Sequence, residues 1–320
     1  MITVVLLLSH KDVDSLLTME SNIKTMEESF IELSKNNVKM TDRGVVIVED
    51  KNGWYGVMTA HMSGMKALGT KIVTVFPENI KLNKPTTQGI ISLTDTDTGE
   101  LICIMDGSLI TGMRTGAVTG VATKYLSKQN SESVGIFGSG YQSRFQLMAI
   151  CSVRNISRIV MTSPSADKKT EFIKSLETEL EVPIVVEHDI KKVLDNDILV
   201  TATSSPSPLF DGNLVNTGTH INCIGAHTKE SSEVDNTTIN RSKVIVDEIN
   251  TAVREAGGIS ETNVFAELAD IILGNKSART SEDDITMFKS MGLSLEDIST
   301  ANLIYQEALE KGIGRNFDFS

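Results

Sequence analysis

Gly138-Ser139-Gly140-Tyr141-Gln142-Ser143 follows the apolar run 134–137 and leads into Phe145, Leu147, Met148 and Ile150 at helical spacing. A strand, a glycine turn and a helix in that order make up the dinucleotide fingerprint in the context it requires. Gly138 permits the tight turn and Gly140 lets the backbone approach a pyrophosphate. The helix that begins near Tyr141 presents N–H groups and a positive dipole end. Ser143 takes the third glycine position and is small enough for close packing of helix on strand. The competing reading is a glycine turn that serves structure alone. The second strand should end at Met161-Thr162-Ser163-Pro164-Ser165, with no acid until Asp167 and with Lys168 and Lys169 beyond it. An acid at this place hydrogen-bonds the ribose 2′-OH and repels a 2′-phosphate, so Thr162, Ser163 and the lysines favour NADP over NAD. An ordinary polar turn that accepts both cofactors is the alternative.

The composition sets the class of protein that could use such a turn. The chain has 320 residues, 40% of them hydrophobic and 22% charged, enough for a sizeable core and roughly two domains. Thirty Lys and Arg against 42 Asp and Glu give a formal charge of -12, which argues against nucleic acid as a partner and leaves room for a local cationic pocket. Cys103, Cys151 and Cys223 form no CxxC pair and read as buried free thiols. His10, His61, His188, His220 and His227 are scattered, with no HxxxH or HExxH pair, so no metal is expected. The apolar start, 2–8, is cut off by Ser9-His10-Lys11-Asp12, too short for a secretory signal, and reads as a first strand. No run approaches the roughly 20 apolar residues of a membrane helix. A cytoplasmic protein with no membrane partner is expected.

The hydrophobic period assigns the elements that must hold the turn in place. Ile23, Met26, Phe30, Ile31 and Leu33 predict a helix over 19–35, and after Asp42-Arg43-Gly44 the period becomes that of strands, at 45–48, 54–60, 71–76, 89–94 and 101–105. That is a mostly antiparallel sheet. A long helix over about 108–128 follows. Strands and helices then alternate, with strands at 134–137, 158–161, 184–187, 197–202, 220–224 and 244–247, which suits a six-stranded doubly wound parallel sheet. Leu295, Ile298, Ala301, Leu303, Ile304 and Leu309 predict an amphipathic helix over 294–311 that returns to the first domain.

Five blocks stand in one order: Arg114-Thr115-Gly116-Ala117, Gly138-Ser139-Gly140-Tyr141-Gln142, Gly218-Thr219-His220-Ile221-Asn222, Phe265-Ala266-Glu267-Leu268 and Phe288-Lys289-Ser290-Met291-Gly292. Together they resemble the ornithine cyclodeaminase/mu-crystallin family, over about residues 20–310. The resemblance implies an α/β fold: a Rossmann-type doubly wound parallel sheet at 114–293, plus an α+β substrate-binding and dimerisation domain at 1–113 with 294–320. It implies a homodimer, and a substrate carboxylate gripped by Arg43, Lys71 and Arg114. Cofactor contacts are implied for Arg114, Thr115, Gly138, Gly140, Tyr141, Gln142, Thr162, Ser163, Thr203, Gly225 and Ser290. The physical reading agrees, because buried cations in an acidic protein need an anion, and a carboxylate matches the two-pronged guanidinium. Solvated surface charge is the alternative, weakest for Arg114 on a helix of apolar and small residues.

Three departures bear on the reaction. Cyclodeaminases of the family end the turn after the fifth strand in Asp, whereas this chain has Gly225-Ala226-His227. His227 can exchange a proton near neutral pH or can simply line the pocket. Ser232 stands where many reductase-like relatives have Arg, and Thr41 where Pro is common. The reading is therefore an NAD(P)-dependent oxidoreductase acting on the C–N bond of a small α-imino or α-amino acid, foremost a cyclic ketimine reductase, with Lys71, His227 or a bound water managing the proton. The alternatives are an alanine-type dehydrogenase, an ornithine cyclodeaminase and a mu-crystallin-like binding protein without turnover.

Overall fold

The computed structural model describes residues 4–319 and divides into two compact units, Met1–Arg114 with Leu293–Ser320, and Thr115–Gly292. Ile2 and Thr3, expected in the first strand, lie outside the described residues. β1 (Val4–Leu8) leads into α1 (His10–Leu16) and α2 (Met19–Ser34). Both helices start where a hydroxyl can satisfy an orphan amide: Ser9 accepts from the Asp12 N–H and Thr18 from the Ser21 N–H. β2 (Val38–Met40), β3 (Gly44–Val48), β4 (Gly53–Met62), β5 (Ala67–Val75), β6 (Thr87–Thr94) and β7 (Leu101–Asp106) follow, and then α3 (Gly107–Leu126).

The second unit runs β8 (Ser133–Phe137), α4 (Tyr141–Val153), β9 (Arg158–Thr162), α5 (Thr170–Leu180), β10 (Ile184–Val186), α6 (Ile190–Leu194), β11 (Ile198–Thr201) and β12 (His220–Cys223). It continues with α7 (Asn236–Arg241), β13 (Ser242–Val246), α8 (Ile249–Glu255), β14 (Val264–Glu267), α9 (Leu268–Ile272) and β15 (Ile285–Lys289). The chain re-enters the first unit as α10 (Ser294–Lys311) and β16 (Arg315–Asp318).

The first sheet has the order β16-β1-β7-β6-β5-β4-β2, with β3 also on β4, and every pairing is antiparallel except β1 with β7. The mostly antiparallel sheet read from the sequence is present. β16 is an addition: its four residues are all exposed, so it has no buried face to produce an alternating pattern. α10 packs on α2 and on β4, β5 and β6. A Cβ at Gly69 would lie 2.5 Å from the Ser92 carbonyl and 3.1 Å from Ile298 Cδ1, so glycine lets the helix settle on the sheet.

The second sheet corrects the expected strand count. It has eight strands, not six, all parallel, in the order β10-β9-β8-β11-β12-β15-β13-β14. The two additions are β14 and β15. β15 is buried at all five positions yet carries Thr286 and Lys289, so its polar residues masked a central strand. The cysteines are free, with Cys103 and Cys223 buried and Cys151 half-buried. Burial pushes the Cys103 and Cys223 thiols up to about 12. Among the described residues no helix is long and apolar enough to cross a membrane.

Candidate active site

Two groups of side chains and backbone atoms have the chemistry the sequence pointed to, one in each unit. In the first unit, β5 alternates inward and outward, and Lys71 takes an inward position between Gly69 and Val73. Its Nζ lies 2.6 Å from Asp297 Oδ2 on α10. Arg114, on α3, donates from Nε to Asp297 Oδ1 at 2.9 Å and from Nη1 to Glu296 Oε2 at 2.7 Å. Glu296 Oε1 also accepts the Leu293 N–H at 3.0 Å, so this acid ties down the start of its own helix. All four charged side chains are buried.

Burial pulls the Lys71 ammonium down to about 8, Asp297 pulls it back up, and Arg114 and Arg43 push it further down. Burial also opposes the Arg114 charge, but Asp297 and Glu296 overcome that and hold its pKa above the ordinary value. An ammonium has three donors and a guanidinium five, of which the contacts to Glu296 and Asp297 above use three, so the pair has the donor chemistry to take a substrate carboxylate as well. Arg43 is half-buried and contributes its charge to Lys71. The sequence reading missed Glu296 and Asp297. The helical period predicts an amphipathic helix over 294–311, whereas residues 294–301 are buried all round. Two adjacent acids between Leu295 and Ile298 were the available signal.

In the second unit, Gly138 has φ +120°, and a Cβ there would lie 2.4 Å from the Ala202 carbonyl, so the turn out of β8 requires glycine twice over. Gly140 precedes the 13-residue α4 and offers no side-chain cap. A Cβ on it would meet nothing within 4 Å. Open space at that point and an uncapped helix start are what a pyrophosphate needs, so these residues fit a dinucleotide. Ser143 is fully buried, consistent with its place at the third glycine position. Tyr141 is exposed and stacks edge-on with Phe145, and Gln142 Oε1 accepts from Gln146 Nε2 at 3.4 Å.

At the end of β9, the Thr162 carbonyl accepts the Gly138 N–H at 2.8 Å. Ser163 Oγ lies 2.7 Å from Ser139 Oγ, and Lys169 Nζ donates to the Ser139 carbonyl at 2.6 Å. The polar turn after β9 is thereby fastened to the glycine loop, and Lys168 remains exposed. Thr203 follows β11, Gly225 follows β12 and Ser290 follows β15, all at the carboxyl ends of parallel strands. Ligands bind at that edge of such sheets. His227 is exposed in the turn beyond Gly225. Thr115 is buried on α3, one residue past Arg114.

Residues 3–312 match the ornithine cyclodeaminase/mu-crystallin family. The chain belongs to that family. Within it, the chain is 32% identical to a Delta(1)-pyrroline-2-carboxylate reductase of Bacillus cereus, covering 98% of this chain and 100% of the relative. It is also 32% identical to an alanine dehydrogenase of Archaeoglobus fulgidus, covering 98% of both. Among solved structures it resembles the Delta(1)-pyrroline-2-carboxylate reductase of Thermococcus litoralis in complex with NADH and L-proline. The TM-score is 0.94 at 37% identity, covering 98% of this chain and 100% of that one. This family member is thus a mixed α/β, dinucleotide-type protein, as the sequence implied.

Proposed function

We propose that this chain is an NAD(P)-dependent reductase of a small cyclic ketimine carboxylate, of the Δ1-pyrroline-2-carboxylate type. The observation that carries the reading is the convergence of Lys71 and Arg114 on the Asp297 carboxylate in a buried cluster. Two adjacent desolvated cations, one of them a two-pronged guanidinium, suit a small carboxylate. A dihydronicotinamide bound at the glycine loop would supply the hydride that the imine carbon accepts. The C=N π pair moves to nitrogen, which must be protonated, and Lys71, with its ammonium pulled down to about 8, is a proton donor suited to neutral pH. Arg43 and Arg114 orient the carboxylate, and orientation by fixed charges supplies part of the rate. His227 serves as the alternative proton carrier from its turn.

The cofactor contacts follow the glycine loop and the polar turn after β9. With no carboxylate there to repel a 2′-phosphate, NADPH is preferred and NADH is also used. A homodimer is part of the proposal. β3 exposes Val45, Val46 and Ile47 on both of its faces, a strand apolar enough to want a partner. Light scattering on Val46→Asp beside the unaltered protein tests this, a dimer turning to monomer being the expected result.

The deciding experiment follows NADPH and NADH absorbance with five- and six-membered cyclic ketimine carboxylates, with pyruvate plus ammonia, and with ornithine plus NAD and an ammonia readout. Ketimine-dependent oxidation is expected, lost in Arg114→Ala beyond the fraction of that variant that circular dichroism shows to be unfolded. The similarity to the Archaeoglobus dehydrogenase supports a second reading, and oxidation with pyruvate and ammonia but not with ketimines would replace the first by it. Ammonia from ornithine would establish cyclodeamination despite His227.

A further inference from the structure

Glu233 is buried, 2% exposed, and accepts four hydrogen bonds. Its Oε2 receives Thr201 Oγ1 at 2.7 Å and the Gly225 N–H at 2.8 Å; its Oε1 receives the Thr203 N–H at 2.7 Å and Thr203 Oγ1 at 2.6 Å. These donors stand at the carboxyl ends of β11 and β12. From β15, the equally buried Lys289 donates its Nζ to the Gly225 carbonyl at 2.6 Å. Gly225 is therefore held at its N–H by an anion and at its C=O by a cation. A Cβ on it would lie 2.3 Å from the Thr203 carbonyl and 2.7 Å from the Glu233 carboxylate, so no other residue fits. The next residue, Ala226, has φ +59°, a left-handed conformation uncommon for alanine, and His227 follows. The next strand end is fastened in the same way: buried Asp247 Oδ2 accepts the Met291 and Gly292 N–H groups at 2.5 and 2.9 Å, just beyond Lys289.

Buried ion pairs contribute little net stability, so two buried charges spent on one glycine call for another purpose. Backbone strain that its surroundings over-determine is characteristic of working sites. A dinucleotide runs across the crevice at the strands' carboxyl ends. With its pyrophosphate at the β8 turn, its nicotinamide half falls over the β11 and β12 loops. We propose that Glu233 and Lys289 are a positioning pair: acting through Gly225, they fix the strained turn 225–227 that seats the nicotinamide ring, while touching neither substrate nor cofactor. The carboxylate is needed because it is acceptor-only with four lone-pair sites, matching four donors; a glutamine would direct an N–H at one of them.

The inference rests on the reductase reading for its turnover arm only. The test is the double variant Glu233→Gln/Lys289→Met, which removes both charges on Gly225 together and leaves the Asp247 carboxylate on its Met291 and Gly292 amides, with the melting temperature, NADH affinity by fluorescence, and turnover of Δ1-pyrroline-2-carboxylate with protiated and 4-deuterated NADH. Misplacing the ring by about 1 Å costs on the order of 100-fold in kcat, with the imine KM unchanged and a larger isotope effect as hydride transfer becomes limiting. NADH affinity falls about tenfold. A kcat loss that only follows the folded fraction, with an unchanged isotope effect, overturns the proposal. If the double variant does not fold, Ala226→Gly decides: it loosens the turn without touching either charge, and an unchanged kcat and isotope effect again overturn the proposal. If the unaltered protein does not reduce the imine, the proposed function falls while the NADH arm still decides: a tenfold loss in the double variant supports the clamp, and unchanged affinity overturns it.

Discussion

In the buried charge cluster of the first unit the donors are side-chain charges drawn from β5, α3 and α10, whereas in the glycine loop of the second they are backbone amides from one short stretch between β8 and α4. The first arrangement must contain its own counter-ions, since Lys71 and Arg114 cannot stay charged in a dry interior without Glu296 and Asp297. The second needs none, because partial charges on uncapped N–H groups exist wherever a helix begins. Removing one member of the charged pocket should therefore damage folding itself, while altering the loop should damage binding alone.

The largest effect is expected for Asp297→Asn, which takes one carboxylate from two buried cations. Urea unfolding should show a loss of about 3–5 kcal/mol; stability within error of the unaltered protein would mean that the pocket is not held by its charges. The glycine loop predicts the reverse. Gly140→Ala has open space and an ordinary φ of -88°, so its melting temperature should not move, yet its cofactor affinity should fall about 10- to 100-fold by titration calorimetry. Unaltered affinity would end the pyrophosphate assignment.

The pH profile sharpens the role of Lys71. On the proposed mechanism its protonated form is the donor, present below about 8 and lost above. On that basis kcat/KM for the ketimine should be level below that pH and fall about tenfold per pH unit above it. A profile flat to pH 10 would assign the proton elsewhere. The smallest effect concerns cofactor choice: Ser163→Asp puts a carboxylate at the end of β9 and should weaken NADPH relative to NADH by about tenfold in kcat/KM. No change in that ratio would show that the 2′-substituent is read at another place.

What could be read along the chain follows from the range of the interactions involved. The glycine loop is local: the turn, the open Cβ position and the helix start all lie within a few residues of one another, so spacing alone carries them. The family resemblance singles out Lys71, whereas the inward side of β5 on which it stands is a property of the fold. β15 was missed because a central strand with Thr286 and Lys289 lacks the apolar run that identifies one, and β16 because it buries no side chain. Glu296 and Asp297 read as the polar face of a helix, and no period or spacing marks Glu233 as buried.

The sequence by itself determined the two kinds of sheet, the dinucleotide turn with its small residues, and the family, since these rest on period, spacing and the order of short blocks. Only the tertiary structure decided which acids answer Lys71 and Arg114, and which buried charges hold Gly225. Those partners lie up to 226 positions apart for Lys71 and Asp297, and 64 for Lys289 and Gly225. A charge's partner at such separation is fixed by the fold that brings the elements together, because Coulomb attraction depends on distance in space and on burial, and neither is written along the chain.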